Sequence, residues 1–554
     1  MHFLPGEQGS PFKFNLYDHG SGVAVADWDG DGDDDVYLLD QLGPNRLFRN
    51  DGGKFTDVTE ATGTGLDDRV SVGAAFADFD LDGDLDLFVT TTRSGNVLLR
   101  NDGDRFTDVS RGSGTDEVAH PQSPIVFDFD GDGDPDIFVA HTARWTLDTY
   151  REAGSYFEGP EQLPELLRAE PERNRLYRND GGMRFTDVAE TAGVAGPGWT
   201  SDAAVFDYDD DGDPDFYVGN MFGGSALYRN DGGRFTDVTA TALGRTPWGA
   251  IGTKAFDADV DGRLDLLVTD MHSDMWPSLK MTSTRVDERR RYDGPDGPLV
   301  EWGAMTAEQR DRTYTGLLER RPDSVYGNAL FRSLGDGKFA DVSDRAGVET
   351  FWPWGIAVAD FDVDGDEDVF VASGMGWPWF HWRTPFLRNR GDGTFEECAK
   401  EVGLDPLPGG TYRSLPFGQA ARSSRAAAVG DFDADGRPDL VVNSFNDRAF
   451  LWMSRFPQKR WIAFRLDASH GAREAYGARV TIRAGGRTQV RQVQPNGGYL
   501  SQSTRTLHFG LGDAPAVDSV EIRWPGGRRQ TIDHPALDRV HVVAEPREGS
   551  GTPR

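Results

Sequence analysis

Apolar residues in this chain come in short runs, not at helical spacing. Val23-Ala24-Val25 leads into an acidic turn and Val36-Tyr37-Leu38 leads out of it. Runs of this length bounded by Asp, Asn and Gly predict strands rather than helices. The turn itself repeats. The pattern D-x-D-x-D-G-x-x-D occurs seven times, starting at Asp27, Asp78, Asp128, Asp207, Asp257, Asp360 and Asp431. Apolar β-formers flank every copy, so each turn joins two strands.

Alternating carboxylates on a tight loop are suited to a hard cation. Calcium takes about six to eight oxygens, and a glycine at the sixth position lets the backbone wind around it. The expected ligands are Asp27, Asp29, Asp31, Asp33 and Asp35 in the first loop, and Asp78, Asp80, Asp82, Asp84 and Asp86 in the second. The third offers Asp128, Asp130, Asp132, Asp134 and Asp136; the fourth Asp207, Asp209, Asp211, Asp213 and Asp215. The fifth offers Asp257, Asp259, Asp261, Arg263 and Asp265, and the sixth Asp360, Asp362, Asp364, Asp366 and Asp368. The seventh has Asp431, Asp433, Asp435, Arg437 and Asp439. Arginine at the seventh position in two copies fits a ligand drawn from the backbone carbonyl there. These are not EF-hands, because Leu38, Val89 and Val139 stand where that loop needs a bidentate glutamate. Solvated acidic turns are the plain alternative, but four carboxylates crowded without a cation repel by about 1–4 kcal/mol per close pair.

A second repeat follows most loops. Leu47 to Val58 reads strand, Asn-Asp-Gly turn, strand; close copies lie at Leu98 to Val109, Leu176 to Val188 and Leu227 to Val238, with looser ones at Leu330 to Val342 and Phe386 to Cys398. A loop-joined strand pair plus a hairpin makes the four antiparallel strands of a propeller blade. The expected fold is therefore all-β: a seven-bladed β-propeller over residues 1–455 with a calcium-binding loop in each blade. Phe12 to Tyr17 is expected to supply the fourth strand of blade seven and close the ring. From residue 456 to 545 the acidic pattern stops, and alternating segments such as Arg479-Val480-Thr481-Ile482 predict a small β-sandwich. Residues 546–554 read as a flexible tail.

The formal charge of −34 argues against nucleic acid or an anionic membrane as partner. The single cysteine, Cys398, excludes an intramolecular disulfide. No apolar run is long enough to cross a membrane as a helix. Met1 to Pro11 lacks the features of a secretory signal, so the expected location is cytoplasmic, or extracellular if a targeting segment has been removed.

Successive loops start about 50 residues apart in the shortest repeats, and three intervals are longer. The extra chain falls after the second strands of blades three, five and six and before blade seven. All of it belongs on the face opposite the calcium loops, where insertions often carry function. These stretches hold His141, Arg144 and Trp145; His272 and Trp276; and Trp377, Trp379, His381, Trp382 and Arg383. Connections on the same face add His120, Trp199, Trp248, Trp352, Trp354, Arg422 and Arg425. The expected site is an aromatic mouth. Trp145, Trp276, Trp352, Trp354, Trp377, Trp379, Trp382 and Arg383 would bind a polycyclic small molecule, with His141, His272, His381, Arg144 and Arg422 for proton transfer and anion stabilisation. The alternative is that these tryptophans pack the insertions themselves. No triad, P-loop, dinucleotide fingerprint or zinc spacing names a reaction.

The acidic loops with R-N-D-G-G-x-F-T-D-V hairpins resemble the FG-GAP (VCBS) repeats of integrin α-subunit propellers. Gly477 to Val480, Pro495 to Ser503 and His508 to Gly512 resemble an ASPIC/UnbV domain. Together they are similar to the cartilage acidic protein family. The resemblance implies one of two roles. One is an intracellular bacterial enzyme of enediyne or polyketide antibiotic biosynthesis, without a redox cofactor, that forms carbon–carbon bonds or cyclises a polycyclic substrate. The other is a non-catalytic, calcium-dependent binding or adhesion propeller of the secreted type, with a protein partner. About seven mainly structural calcium ions are expected in either case.

Overall fold

Each acidic loop joins two antiparallel strands. In the first sheet Val23–Ala26 pairs with Asp35–Leu38, which pairs with Arg46–Asn50, which pairs with Phe55–Asp57. The computed structural model describes residues 20–41, 43–92, 94–143, 171–271, 324–325, 327–350, 352–374, 384–404, 424–444, 448–469 and 473–546. Among them the pattern recurs in six more sheets, whose first strands are Val70–Ala77, Pro121–Phe127, Thr200–Phe206, Ala250–Phe256, Pro353–Ala359 and Ser424–Gly430. The chain is all-β apart from single helical turns such as Thr59–Thr62.

The first strands converge, and small residues make this possible. A Cβ on Gly73 would lie 2.7 Å from Pro124 Cδ, one on Gly252 2.8 Å from the Trp354 carbonyl, and one on Gly355 2.7 Å from the Arg425 carbonyl. Such distances exclude any side chain without backbone movement. The sheets follow one another around a common axis in a propeller-like arrangement, the last beside the first.

Neighbouring sheets are fastened by the hairpins. Phe106 packs on Trp28 of the preceding loop at 5.6 Å, Phe185 on Phe79 at 5.9 Å and Phe235 on Phe129 at 6.2 Å. The turn asparagines Asn101, Asn179 and Asn230 donate Nδ2–H to the carbonyls of those same three aromatics, at 3.1, 2.9 and 2.8 Å. The first hairpin closes the ring in the same way: Phe55 packs on Phe432 at 5.6 Å, and Asn50 donates to the Phe432 carbonyl at 2.9 Å. Three strands are described in the seventh sheet; Phe12 to Tyr17, expected to complete it, lies outside the described residues.

The C-terminal region forms two sheets. One orders Leu507–Gly512, Arg460–Asp467 and Val540–Ala544; the other orders Arg487–Gln492, Arg479–Ala484, Val517–Arg523 and Arg529–Asp533. Ile462, Phe464, Phe509, Val480, Ile482 and Ile522 are buried in one cluster between them. The segment between these sheets leaves the domain and enters the axis of the ring. There Ser501–Gln502 pairs in parallel with Val23–Ala26.

Candidate metal centres

The seven loops share one internal wiring. At the fifth position the carboxylate accepts the backbone N–H of the seventh in every loop, at 2.9–3.0 Å. At the first position it accepts the N–H of the sixth-position glycine in six of them, as in Gly133 to Asp128 Oδ2 at 2.9 Å. The ninth-position aspartate joins loop to hairpin: Asp136 Oδ1 accepts from Asn179 N at 2.8 Å and Oδ2 from Phe129 N at 3.1 Å. Burial pushes these ninth-position carboxyls upward, Asp35, Asp86 and Asp265 to about 8 and Asp136 and Asp215 to about 9.

Several carboxylate oxygens are left over at the centre. Asp27 Oδ1, Asp80 Oδ1, Asp130 Oδ1, Asp207 Oδ1, Asp259 Oδ1 and Asp433 Oδ1 are buried without a hydrogen-bond donor. Ligand atoms of Asp207, Asp209, Asp211 and Asp215 lie within 4.8 Å of one another. The same holds for Asp27, Asp29 and Asp31; for Asp78, Asp80 and Asp86; for Asp128, Asp130 and Asp136; and for Asp257, Asp259 and Asp265, with two further groups of this kind. Bare, buried, converging oxygens fit a hard cation with oxygen ligands. The seventh-position side chains turn outward. Asp33 Oδ2 accepts from Gly52 N at 2.8 Å and Asp213 Oδ2 from Gly232 N at 3.1 Å, so these two seventh-position carboxylates bond their own hairpins. Arg263 and Arg437 instead pair with the fifth-position aspartates of their own loops, Asp261 and Asp435.

The sequence does not say which face of the ring the C-terminal domain takes; it sits on these loops. Arg465 pairs with Asp27 Oδ2 at 2.9 Å, Arg523 with Asp207 Oδ2 at 2.9 Å and Lys459 with Asp362 at 3.4 Å, while Arg487 pairs with Asp366 and Arg479 with Asp210. Glu474 accepts from Asp78 N at 2.8 Å. His508 donates Nε2–H to the Gly436 carbonyl at 2.8 Å, and burial holds its ring near a pKa of about 4, hence neutral. The excess of arginine after residue 459 was the available signal.

From this platform the segment around Tyr499 runs up the axis. Tyr499 is fully buried, packs on Trp354 at 5.8 Å and donates its hydroxyl to Gln122 Oε1 at 2.8 Å. Leu500 N donates to Ser123 Oγ at 2.9 Å, and the Leu500 carbonyl accepts from Val23 N at 3.1 Å. Trp354, Gln122, Ser123 and Val23 all lie at the beginnings of first strands, the ends away from the acidic loops.

This corrects part of the expected aromatic mouth. Trp352 and Trp354 are core residues, 2% and 0% exposed, and the Arg425 guanidinium lies 4.0 Å over the Trp354 ring. His141 is also fully buried. It ends an inner strand, its Nδ1 bonds the Val139 carbonyl at 3.0 Å, and burial lowers its pKa. Trp199 and Trp248 both pack edge-on against Phe222, and His120 bonds Glu172 at 3.0 Å. All are positions on first strands or just beside them, where the convergence of sheets closes the space. Arg144, Trp145, His272, Trp276, Trp377, Trp379, His381, Trp382, Arg383 and Arg422 lie outside the described residues.

The fold and these loops define a class: an all-β repeat protein whose sheets share an axis, each carrying one acidic turn on the same face. The chain joins FG-GAP-like repeats to an ASPIC and UnbV domain. The FG-GAP-like repeat matches at residues 27–89, 78–139, 162–218, 207–268 and 321–371, and the ASPIC and UnbV domain at 468–550. Among curated proteins it is 25% identical over 277 residues to cartilage acidic protein 1 of Xenopus tropicalis, a match covering 40% of this chain and 42% of that protein. With cartilage acidic protein 1 of Homo sapiens it is 25% identical over 285 residues, covering 40% of this chain and 41% of the relative. The chain thus spans about two fifths of the length of the curated relatives it matches. Among solved structures it is similar to BBS1N in complex with ARL6DN, with a TM-score of 0.39 and 10% identity over 79% of this chain and 94% of that one. It is also similar to Aleuria aurantia lectin, with a TM-score of 0.33 and 12% identity over 74% of this chain and all of the lectin.

Proposed function

We propose that this chain is a seven-bladed propeller that holds one calcium ion in each blade loop and works as a calcium-dependent binding protein. Its ligand surface is the face away from the loops. The observation that carries the reading is the repeated set of buried carboxylate oxygens with no protein donor, spaced for one shared cation. In each loop the first-, third-, fifth- and ninth-position carboxylates and the seventh-position carbonyl would hold the ion, with the ninth-position carboxylate also tying the loop to its hairpin. A calcium ion supplies charge neutralisation and loop rigidity there, not chemistry. The acidic face is taken up by the C-terminal domain, which leaves the opposite face, where the second strands of the sheets end, for a partner or small molecule.

A tailoring enzyme of antibiotic biosynthesis is the other role that the family resemblance implies. Of its three histidine candidates, the described one, His141, is sealed from solvent, which speaks against proton transfer at that position. Metal analysis of the purified full chain, with calcium titration, tests the proposal. About seven calcium ions per chain are expected, with a melting temperature that falls steeply on chelation. Fewer than about four divalent ions would sink it.

A further inference from the structure

In the first, fourth and seventh loops the C-terminal domain and a loop-bound cation would use different atoms, while in the sixth Lys459 also reaches the third-position carboxylate, Asp362 Oδ1, at 3.4 Å. In the first loop Arg465 takes Asp27 Oδ2 and the sixth-position Gly32 carbonyl, at 2.9 and 3.1 Å, while Asp27 Oδ1 stays bare. In the fourth, Arg523 takes Asp207 Oδ2 and the Asp210 carbonyl, Arg479 takes the Asp207 carbonyl, and Asp207 Oδ1 stays bare. In the sixth, Arg487 and Arg491 take the Asp364 and Gly365 carbonyls at 3.2 and 3.4 Å. In the seventh, His508 takes the Gly436 carbonyl. None of these is a seventh-position carbonyl, the one that the calcium reading reserves for the ion.

The carbonyls stand where the domain needs them only while each loop is wound. A bound cation would keep each loop wound against the mutual repulsion of its carboxylates, and its loss would free the carbonyls to move. The same domain delivers Tyr499 and Leu500 to the opposite end of the axis, where they bond Gln122 and Ser123. The two faces of the ring are therefore joined by one rigid piece.

We propose, resting on the calcium reading above, that calcium in the acidic loops seats the C-terminal domain and so holds the Tyr499 segment in the axis. Loss of calcium withdraws that segment and opens the axis at the end of the ring away from the acidic loops. The coupling is reciprocal, because whatever calcium does for docking, docking does for calcium affinity. The third loop is a natural control: among the described residues no hydrogen bond or ion pair joins it to the C-terminal domain.

Hydrogen exchange on the full chain tests this. In saturating calcium the amides of residues 497–502 should be protected. Lowering free calcium should speed their exchange at least tenfold before the domain core around Ile462 and Phe509 loses protection. Because chelation alone risks general unfolding, a second arm keeps calcium saturating and uses Arg465→Lys with Arg523→Lys, which keeps the charge beside Asp27 and Asp207 but loses the forked bonds to the Gly32 and Asp210 carbonyls. That variant should show the same faster exchange at 497–502. Its calcium affinity in the first and fourth loops should fall several-fold, and that of the third loop should be unchanged. Unaltered exchange and affinity in the double variant would overturn the coupling while leaving the calcium reading intact. Absence of bound calcium in the wild type would remove the reading on which the coupling rests.

Discussion

Replacing Asp136 by Ala isolates one calcium loop from everything else that the loops do. Asp136 is 0% exposed and lies in the third loop, which the C-terminal domain does not hydrogen-bond. Its two oxygens accept from Asn179 N and Phe129 N, so alanine strips two buried donors of their acceptor. At about 1–3 kcal/mol for each stranded group, the loss is roughly 2–6 kcal/mol whatever the calcium level. A second loss depends on calcium. An ion that binds only the folded chain contributes about 2.7 kcal/mol at a hundredfold excess over its dissociation constant, and roughly 1.4 kcal/mol more for each tenfold rise in calcium. Urea unfolding followed by tryptophan fluorescence, repeated across a calcium series, separates the two. The variant's stability should rise with log calcium less steeply than the wild type's, by the slope of one ion. Metal analysis should find one ion fewer. Parallel slopes and an unchanged ion count would mean that Asp136 serves only as a hydrogen-bond acceptor, and its assignment as a calcium ligand would be wrong.

Two further outcomes follow from the loop electrostatics. Arg263 pairs with Asp261, so a fixed cation already occupies part of the fifth loop; Arg263→Asp should tighten calcium there by roughly tenfold, about 1.4 kcal/mol, as read by isothermal titration. Asp35, Asp136 and Asp215, raised by burial to about 8–9 without a metal, must ionise to hold calcium. Calcium binding at pH 7 should therefore release protons, measured as a dependence of binding heat on buffer ionisation enthalpy, and should strengthen from pH 6 to 9. The sign for the calcium-free chain is opposite. Its folded state keeps these protons while the unfolded chain loses them near pH 4, so its stability should fall as pH rises from about 4 to 9.

The repeat was legible because its chemistry is local. An Asp-rich turn with glycine at its sixth position, flanked by short apolar runs, specifies a wound loop between two strands wherever it occurs. The Asn-Asp-Gly hairpins specify the other two strands in the same way. What Asn101, Asn179 and Asn230 do was not legible, because each donates to an aromatic carbonyl of the preceding sheet and no sequence spacing records that pairing. The same limit explains Trp352, Trp354 and His141. Aromatic and histidine character suggested a binding mouth, but only the convergence of the first strands decides that these side chains fill the interior. The spacing of the arginines of the C-terminal domain likewise does not name their partners. Ion pairs such as Arg465 with Asp27 and Arg523 with Asp207 form between residues hundreds of positions apart, so local patterning fixed the loops while tertiary packing alone chose what sits on them.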